Sequence, residues 1–252
     1  MSQYHQLASA YDALTRDVNY TAFADYIEWQ FSRKIGGVKL ALDLCCGTGT
    51  LTHLLAERGY EMMGIDASVD MLAEASSKDT DALVPPVFLC QSMERLDLYG
   101  TIDACISTLD SINYITDPSL LQAGFERIHL FLEPGGLFLF DINRPETLQS
   151  MDGQLYLDET EDTYCVWQGS FQDGLLRFDM DLFRQEGKHW RRYEEQHFQR
   201  AYQPQVLEQM LRQAGFVTVE QFGTLKKETA SETDSRVFLA AWKDLAWKPK
   251  TN

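Results

Sequence analysis

The chain has 252 residues, of which 44% are hydrophobic and 24% charged, and its formal net charge is −16 at pH 7. This length allows a sizeable core in one large domain or a domain with an elaboration, and the acidic balance disfavours nucleic acid as a partner. Neither an apolar run long enough to span a bilayer nor the basic-then-apolar layout of a signal peptide is present, so we expect a cytoplasmic protein without a membrane partner.

Strand-like and helix-like patterns alternate through the first part of the chain. Apolar runs of strand length are followed by segments with apolar residues at helical spacing, and Gly, Ser and Asp-Pro mark the helix ends. This alternation predicts a parallel sheet with helices on both faces. The predicted elements are strands at 38–46, 60–67, 87–92, 102–108 and 137–143 and helices at 50–59, 68–76 and 117–132.

The pattern changes after Asn143. From about Tyr156 to Tyr202, polar and apolar residues alternate with a period of two, most clearly at residues 175–183, and turn signals flank that segment. This stretch predicts an antiparallel set of about three or four strands. The elements predicted after it are a helix at 204–215 and strands at 217–223 and 235–242.

The stretch DLCCGTGT, residues 43–50, lies where the first strand runs into the first helix. Ligands of an open parallel sheet bind outside the carboxyl ends of the strands, and Gly47 and Gly49 let the backbone approach a ligand closely. A metal site requires further Cys or His at ligand spacing, and none is nearby. We therefore interpret Cys45 and Cys46 as small residues in a tight turn.

A dinucleotide dehydrogenase is an alternative, because it also has glycines at this point. Its third glycine is replaced here by Thr52, which weakens that interpretation. Asp43 precedes the glycines, and Asp66 ends the second strand, where an acidic side chain can accept hydrogen bonds from both hydroxyls of a ribose.

Residues 41–75, ALDLCCGTGTLTHLLAERGYEMMGIDASVDMLAEA, resemble the first two motifs of the class I S-adenosylmethionine-dependent methyltransferases. The segments VFLCQSME, IDACISTLDSINYI and LFLEPGGLFLFDIN follow in that family's order and spacing, so the resemblance covers 38–143 and extends to the last helix and strands. It implies an α/β fold with a doubly wound, seven-stranded, mostly parallel sheet. The inserted strands resemble those of a small bacterial subgroup, which also resembles the glycine and sarcosine N-methyltransferases in where it inserts a cap.

The resemblance implies two parts of the chain. Residues 1–145 and 203–252 would form the domain that binds S-adenosylmethionine, and residues 146–202 would form an inserted antiparallel β cap. A cap over the carboxyl ends of the strands would shield the methyl acceptor from water. The alternative is that these strands form a structural sheet, or a sheet through which two copies of the chain pair as a homodimer.

The resemblance also implies which residues hold the cofactor. Asp43 and the glycine loop would hold its amino acid end, and Asp66 would bind the ribose hydroxyls. Ser92 stands where many relatives carry Asp, so we expect a weaker contact with the adenine amino group. The residues expected at the cofactor are Tyr11, Asp43, Cys45, Gly47, Thr48, Gly49, Asp66, Ala67, Met71, Gln91, Ser92, Met93 and Leu109.

Methyl transfer from a sulfonium is an in-line displacement, so the main task is to align donor and acceptor and to exclude water. Asp110 follows the fourth strand, and we expect it to orient the acceptor or to take its proton. Arg200 offers another role, as the partner of an acceptor carboxylate. Asp141 and Asn143 end the fifth strand and are further candidates. The residues expected at the acceptor are Asp110, Asn113, Tyr114, His197 and Arg200, with no metal.

Three functions stay open at this point. The chain is a methyltransferase acting on a small molecule, a methyltransferase acting on RNA or protein, or a protein that binds the cofactor without turnover. The acidic charge disfavours RNA. The residues name neither the acceptor nor the acceptor atom.

Overall fold

The computed structural model describes residues 7–248, which contain seven α-helices and eleven β-strands. Residues 1–6 and 249–252, which the predicted cofactor domain includes, lie outside the described residues. The helices are α1 Ala8–Leu14, α2 Tyr20–Ser32, α3 Thr50–Glu57, α4 Val69–Ser77, α5 Pro118–Phe131, α6 Pro145–Ser150 and α7 Pro204–Ala214. The strands are β1 Leu40–Leu44, β2 Glu61–Asp66, β3 Val87–Cys90, β4 Ile102–Ser107, β5 Leu132–Asn143, β6 Leu155–Glu159, β7 Thr163–Gln172, β8 Leu175–Glu186, β9 His189–Arg200, β10 Thr218–Gly223 and β11 Arg236–Trp242.

Seven strands form one sheet in the order β10-β11-β5-β4-β1-β2-β3. The strands from β1 to β5 are parallel to one another, and β11 runs antiparallel to both of its neighbours, β5 and β10. This arrangement confirms the expected doubly wound, mostly parallel sheet. The strand order reverses between β1 and β4, so the carboxyl ends of these two strands border the crevice where such sheets bind ligands.

Strand β5 shows why the main sheet is covered on both faces. Phe138 and Phe140 pack into a cluster with α5 and α7, whereas Leu137 and Leu139 pack into the cluster on the opposite face with α2 and α3. All four side chains are fully buried. Burial on this scale contributes about 1.5–3 kcal/mol per side chain, and it requires a continuous apolar run rather than alternation.

The other four strands form a separate antiparallel sheet in the order β6-β7-β8-β9, which we call the cap sheet. It confirms the expected antiparallel set. Its inner face carries Leu176, Phe178 and Leu182, all buried, as the period of two predicted. Helix α1 packs against this face, where Leu7 and Ala10 join the cluster that contains Leu182.

The helix ends agree with the local chemistry. The Asp117 side chain caps α5 by accepting a hydrogen bond from the Ser119 N–H at 2.8 Å. That helix ends at Phe131, and β5 starts at once at Leu132, so the segment EPGG lies in a bulged strand rather than at a helix end. Helices α1, α2 and α6 had no sequence prediction. Among the described residues, none of these helices has the length and apolar character needed to cross a bilayer.

Candidate functional site

A cavity of about 830 Å³ lies between the carboxyl ends of the main sheet and the inner face of the cap sheet. Helix α1 lines it through Tyr11 and Leu14, Leu7 lines it just before this helix, and the cap sheet contributes Trp167 and Phe178. This volume is typical of sites for small molecules and cofactors. The main sheet, the cap sheet and α1 therefore form the three walls of one site.

The loop after β1 is shaped by residues with positive φ angles. Cys45, Gly47 and Gly49 have φ of 58°, 55° and 69°, so the chain turns sharply there, as the tight-turn interpretation requires. A Cβ atom on Gly49 would lie 2.9 Å from the Phe88 ring and 3.0 Å from the Ala75 Cβ, so this position requires glycine.

The cysteines of the chain are all free thiols. Burial raises the pKa of the Cys45 thiol well above its usual value, so it lines the cavity as a neutral thiol and not as a thiolate nucleophile. Within residues 7–248, no group of three or more His, Cys, Asp or Glu side chains is placed to hold a metal ion.

Asp66 lies at the end of β2 and faces the cavity. Its Oδ2 accepts a hydrogen bond from the Gly47 N–H at 2.9 Å, and its Oδ1 accepts one from the Ser68 N–H at 2.8 Å. Burial raises the pKa of this carboxyl group. The two backbone bonds fix its orientation, and each oxygen keeps a lone pair that a ribose hydroxyl can use.

Asp43 lies beneath the loop and does not line the cavity. It is 3% exposed, and its Oδ2 accepts a hydrogen bond from the Thr52 hydroxyl at 2.6 Å. Burial raises its pKa to about 7. Thr48 and Gly49 are also absent from the lining, so for these three residues direct contact with the cofactor stays a prediction.

Most of the residues expected at the cofactor do line the cavity. Ser92 donates its hydroxyl hydrogen bond to Glu94 Oε1 at 2.6 Å, and Glu94 also faces the cavity. A carboxylate two residues further along therefore lies beside the position where many relatives carry Asp. The lining residues of the expected set are Tyr11, Cys45, Gly47, Asp66, Ala67, Met71, Gln91, Ser92, Met93 and Leu109.

On the acceptor side, Leu109 and Asp110 form a turn after β4 with φ of 57° and 53°. The carboxylate of Asp141, at the end of β5 and fully buried, accepts hydrogen bonds from both of their N–H groups, at 2.8 and 3.0 Å. These bonds offset the strain of two consecutive left-handed residues. The turn therefore presents the Asp110 side chain to the cavity in a fixed orientation.

Arg236 also lies on this side of the cavity, although no sequence motif pointed to it. Its Nη2 lies 2.6 Å from Asp110 Oδ1, and its Nη1 donates to Asp141 Oδ2. It starts β11, and the antiparallel register places it opposite Asn143 at the carboxyl end of β5. Only the strand order reveals this neighbour, because nearly a hundred residues separate Arg236 from Asp141 along the chain.

Tyr114 and His197 also line the cavity. His197 is 1% exposed, its Nε2 lies 2.9 Å from Glu195 Oε2, and the Tyr114 ring meets the imidazole edge-on at 6.1 Å between centroids. The structure therefore brings Asp110, Tyr114 and His197 into one site.

Asn113 and Arg200 are not brought to that site. The Asn113 Nδ2 donates to the Arg200 carbonyl oxygen at 2.9 Å, which joins the turn after β4 to the cap sheet. Arg200 Nε donates to the Thr116 carbonyl oxygen, and its guanidinium does not line the cavity. An acceptor carboxylate in the cavity would therefore not meet Arg200 in this arrangement.

A protein-family model described as "Methyltransferase domain" matches residues 41–136 of this chain. A protein of Bacillus subtilis (strain 168) named "Putative methyltransferase YqeM" is 32% identical over 237 residues, which cover 92% of this chain and 91% of that protein. The chain belongs to the class I S-adenosylmethionine-dependent methyltransferases.

Solved structures agree with this assignment. A crystal structure of an S-adenosylmethionine-dependent methyltransferase from Clostridium acetobutylicum ATCC 824 matches with a TM-score of 0.84 and 27% identity, covering 96% of this chain and 99% of that one. The sugar N-methyltransferase KedS8 from Streptoalloteichus sp ATCC 53650 matches with a TM-score of 0.75 at 20% identity, covering 91% and 90%. The second likeness shows the fold alone.

The site of this methyltransferase fits S-adenosylmethionine. Asp66 is fixed with free lone pairs toward the cavity, and the loop at Gly47 has positive φ with nothing within 4 Å of where a Cβ would stand. The backbone of this loop is therefore open to a polar ligand group. The resemblance to the glycine and sarcosine N-methyltransferases stays a prediction.

Proposed function

We propose that this methyltransferase transfers the methyl group of S-adenosylmethionine to a small-molecule acceptor. The observation that carries the proposal is the single cavity in which the cofactor residues and the cap sheet face each other. Asp66 lies on one wall, and Trp167 and Phe178 lie on the other. An acceptor between these walls must be compact, because the cap sheet and α1 cover it.

The cap sheet supports the proposal that residues 146–202 act as a lid. Gln199 of β9 donates to Asp110 Oδ2 at 2.7 Å, and the Leu7 N–H donates to Glu195 Oε1 at 3.0 Å. These bonds join the cap to the turn after β4 and to α1. A lid held in this way excludes water from the reacting groups and orients the acceptor.

When bound, S-adenosylmethionine supplies an electrophilic methyl group on a sulfonium centre. Asp66 holds the ribose end, and the turn at Leu109 and Asp110 borders the acceptor. The Asp110 Oδ1 atom lies 2.6 Å from the Arg236 Nη2 atom, which fixes this carboxylate on the acceptor side of the cavity. A carboxylate accepts hydrogen bonds from the acceptor and fixes its orientation. The names of the structural neighbours KedS8, a sugar N-methyltransferase, and CalS10, an amino pentose methyltransferase, support a small acceptor.

The experiment is methyl transfer from labelled S-adenosylmethionine to separated pools of a bacterial extract. The pools are a small-molecule ultrafiltrate, total RNA and total protein, each incubated with the enzyme. We expect label and S-adenosylhomocysteine to form with the ultrafiltrate. Label in RNA or protein instead would contradict the small-molecule acceptor. Tight cofactor binding without label in any pool would favour a binding protein.

A further inference from the structure

We infer that the acceptor is an amine on an apolar or cyclic body, with its nitrogen held by Asp110. This inference rests on the proposed function and adds the chemical class of the acceptor. It follows from the charges that face the cavity, from the fixed geometry of Asp110 and from the aromatic wall of the cap sheet.

The charges of the cavity favour a basic acceptor over an acidic one. Arg236 is the one arginine or lysine among the described residues that line the cavity, and it is shared by Asp110 and Asp141. Four carboxyl groups, those of Asp66, Glu94, Asp110 and Asp158, line the same cavity, so acidic side chains outnumber this one cation. Asp158, nearer the rim, adds a carboxylate whose partner is Arg16 at 3.2 Å. An acceptor carboxylate would therefore meet like charge without an unshared cation to bind it.

Asp110 is held from both walls of the cavity. Its Oδ1 pairs with Arg236 of the main sheet, its Oδ2 accepts from Gln199 of the cap sheet, and Asp141 fixes its backbone N–H. A carboxylate has about four acceptor positions, so two remain after these contacts. An ammonium or amine N–H is the group that a fixed, ionised acceptor of this kind binds most strongly.

The rest of the acceptor site is apolar and aromatic. Trp167 and Phe178 meet edge to face with ring centroids 4.9 Å apart, and Met180 and Tyr114 line the same region. Aromatic faces attract cations in addition to burying hydrocarbon. An amine whose body is apolar or cyclic satisfies both parts of the site.

Methylation of an amine also uses the charge of Asp110 in the reaction. The bound ammonium first loses one proton to solvent. The neutral amine then forms its N–C bond with the freed lone pair while the C–S bond of the donor breaks with its electron pair left on sulfur, so positive charge passes from sulfur to nitrogen. A carboxylate fixed beside the nitrogen stabilises that developing charge. The product ammonium then releases one proton to solvent. Asp110 acts here by stabilising the developing charge, and its position is fixed by Arg236 and Gln199.

The test measures binding of three matched probes to the protein loaded with S-adenosylhomocysteine. Benzylamine, benzyl alcohol and benzoate share one ring and differ only in the polar group. By ligand-observed NMR at pH 7, we expect benzylamine to bind at least tenfold more tightly than benzoate. In Asp110→Asn that preference falls to threefold or less. The control Asp79→Asn, which removes an exposed carboxylate outside the cavity, keeps the preference.

Each other outcome overturns the inference. Benzoate or benzyl alcohol as the tightest probe, or no preference among the three, contradicts an amine site in the wild-type protein. An unchanged preference in Asp110→Asn contradicts the role of that residue. Titration of the wild-type protein with S-adenosylhomocysteine alone tests the proposed function separately. If the wild type does not bind S-adenosylhomocysteine, the proposed function is wrong; if it binds but shows no amine preference, only the amine inference is wrong.

Discussion

The Asp12 carboxylate lies 2.6 Å from the Lys78 ammonium, which ties α1 to the end of α4. Asp12 also accepts hydrogen bonds from the hydroxyls of Thr48, which lies between Gly47 and Gly49, and of Thr50, which starts α3. At the other end of α1, Arg184 of the cap sheet donates to the Ser9 hydroxyl at 2.7 Å. Helix α1 therefore spans the cofactor wall and the cap wall.

Lys78→Met removes the ion pair that holds α1 to the cofactor wall. Because both partners are partly exposed, the pair is worth no more than about 1 kcal/mol. We expect S-adenosylhomocysteine to dissociate about two- to fivefold faster, with little change in the melting temperature. Stopped-flow displacement measures this rate. Lys39→Met, which removes the exposed pair with Glu61, should leave the rate unchanged; equal rates in all three proteins would contradict the role of α1.

Asp66→Ala tests the ribose assignment. The substitution removes the two hydrogen bonds expected from the ribose and also releases the Gly47 and Ser68 N–H groups. We expect the affinity for S-adenosylhomocysteine to fall by about 2–4 kcal/mol, which is roughly thirty- to a thousandfold. Calorimetry measures the loss. Asp79→Ala, an exposed carboxylate in the loop after α4, serves as the control, and undiminished affinity in Asp66→Ala would defeat the assignment.

The main sheet was predictable from the sequence because each of its strands carries a strong local signal. The buried run of β5 packs between two apolar layers. The glycines after β1 lie in a loop with positive φ angles. The period of two likewise predicted the cap sheet. Helix α1 lacked such a signal, because it is short and is stabilised by contacts with the cap sheet. Helix α2 carries Phe23, Ile27 and Phe31 at helical spacing, a pattern for which we made no prediction.

The acceptor side of the site could be predicted only in part. Asp110 and Tyr114 follow a strand of the main sheet, so their place was evident from the chain order. Arg236 and Gln199 reach the same cavity from β11 and β9, whose positions depend on strand order and register. Arg200 was expected in the cavity, but it is adjacent to Gln199 on a strand where successive side chains point to opposite faces.

Asp43→Asn should alter how stability depends on pH. Burial raises the pKa of Asp43 from 3.8 to about 7, so the folded state retains a proton that the unfolded state has lost. The contribution of Asp43 to the free energy of unfolding therefore falls as pH rises from about 4 to 7, by at most roughly 4 kcal/mol. In urea titrations across this range, Asp43→Asn should gain stability relative to wild type as pH rises.

The matched control for Asp43 is Asp103→Asn. Despite its partial burial, hydrogen bonds from the N–H groups of Leu40 and Lys39 hold the pKa of Asp103 below its usual value. Its stabilising contribution is therefore present above pH 4 and is lost in more acidic solution. The difference between Asp103→Asn and wild type should stay constant from pH 5 to 7. If the difference in unfolding free energy between Asp43→Asn and wild type also stays constant over this range, Asp43 does not hold a proton in the folded state.

Lys243→Met tests a buried cation far from the cavity. Lys243 is 2% exposed, and its Nζ donates to the carbonyl oxygens of His129 and Leu132 at 2.7 and 2.6 Å, at the C-terminal end of α5. Methionine fills the space but leaves both carbonyls without this donor, at about 1–3 kcal/mol each. We expect the melting temperature to fall by several degrees, and Lys188→Met, exposed in the turn between β8 and β9, to leave it unchanged.

The same variant has a pH signature. Burial lowers the pKa of Lys243 to about 8, so between pH 8 and the ordinary lysine value the unfolded state binds a proton that the folded state has lost. Wild-type stability should therefore rise through this window relative to Lys243→Met. Urea titrations from pH 7.5 to 10 measure the difference, while unchanged affinity for S-adenosylhomocysteine shows that the site is intact. A difference that does not vary with pH would contradict a buried Lys243 that loses its proton on folding.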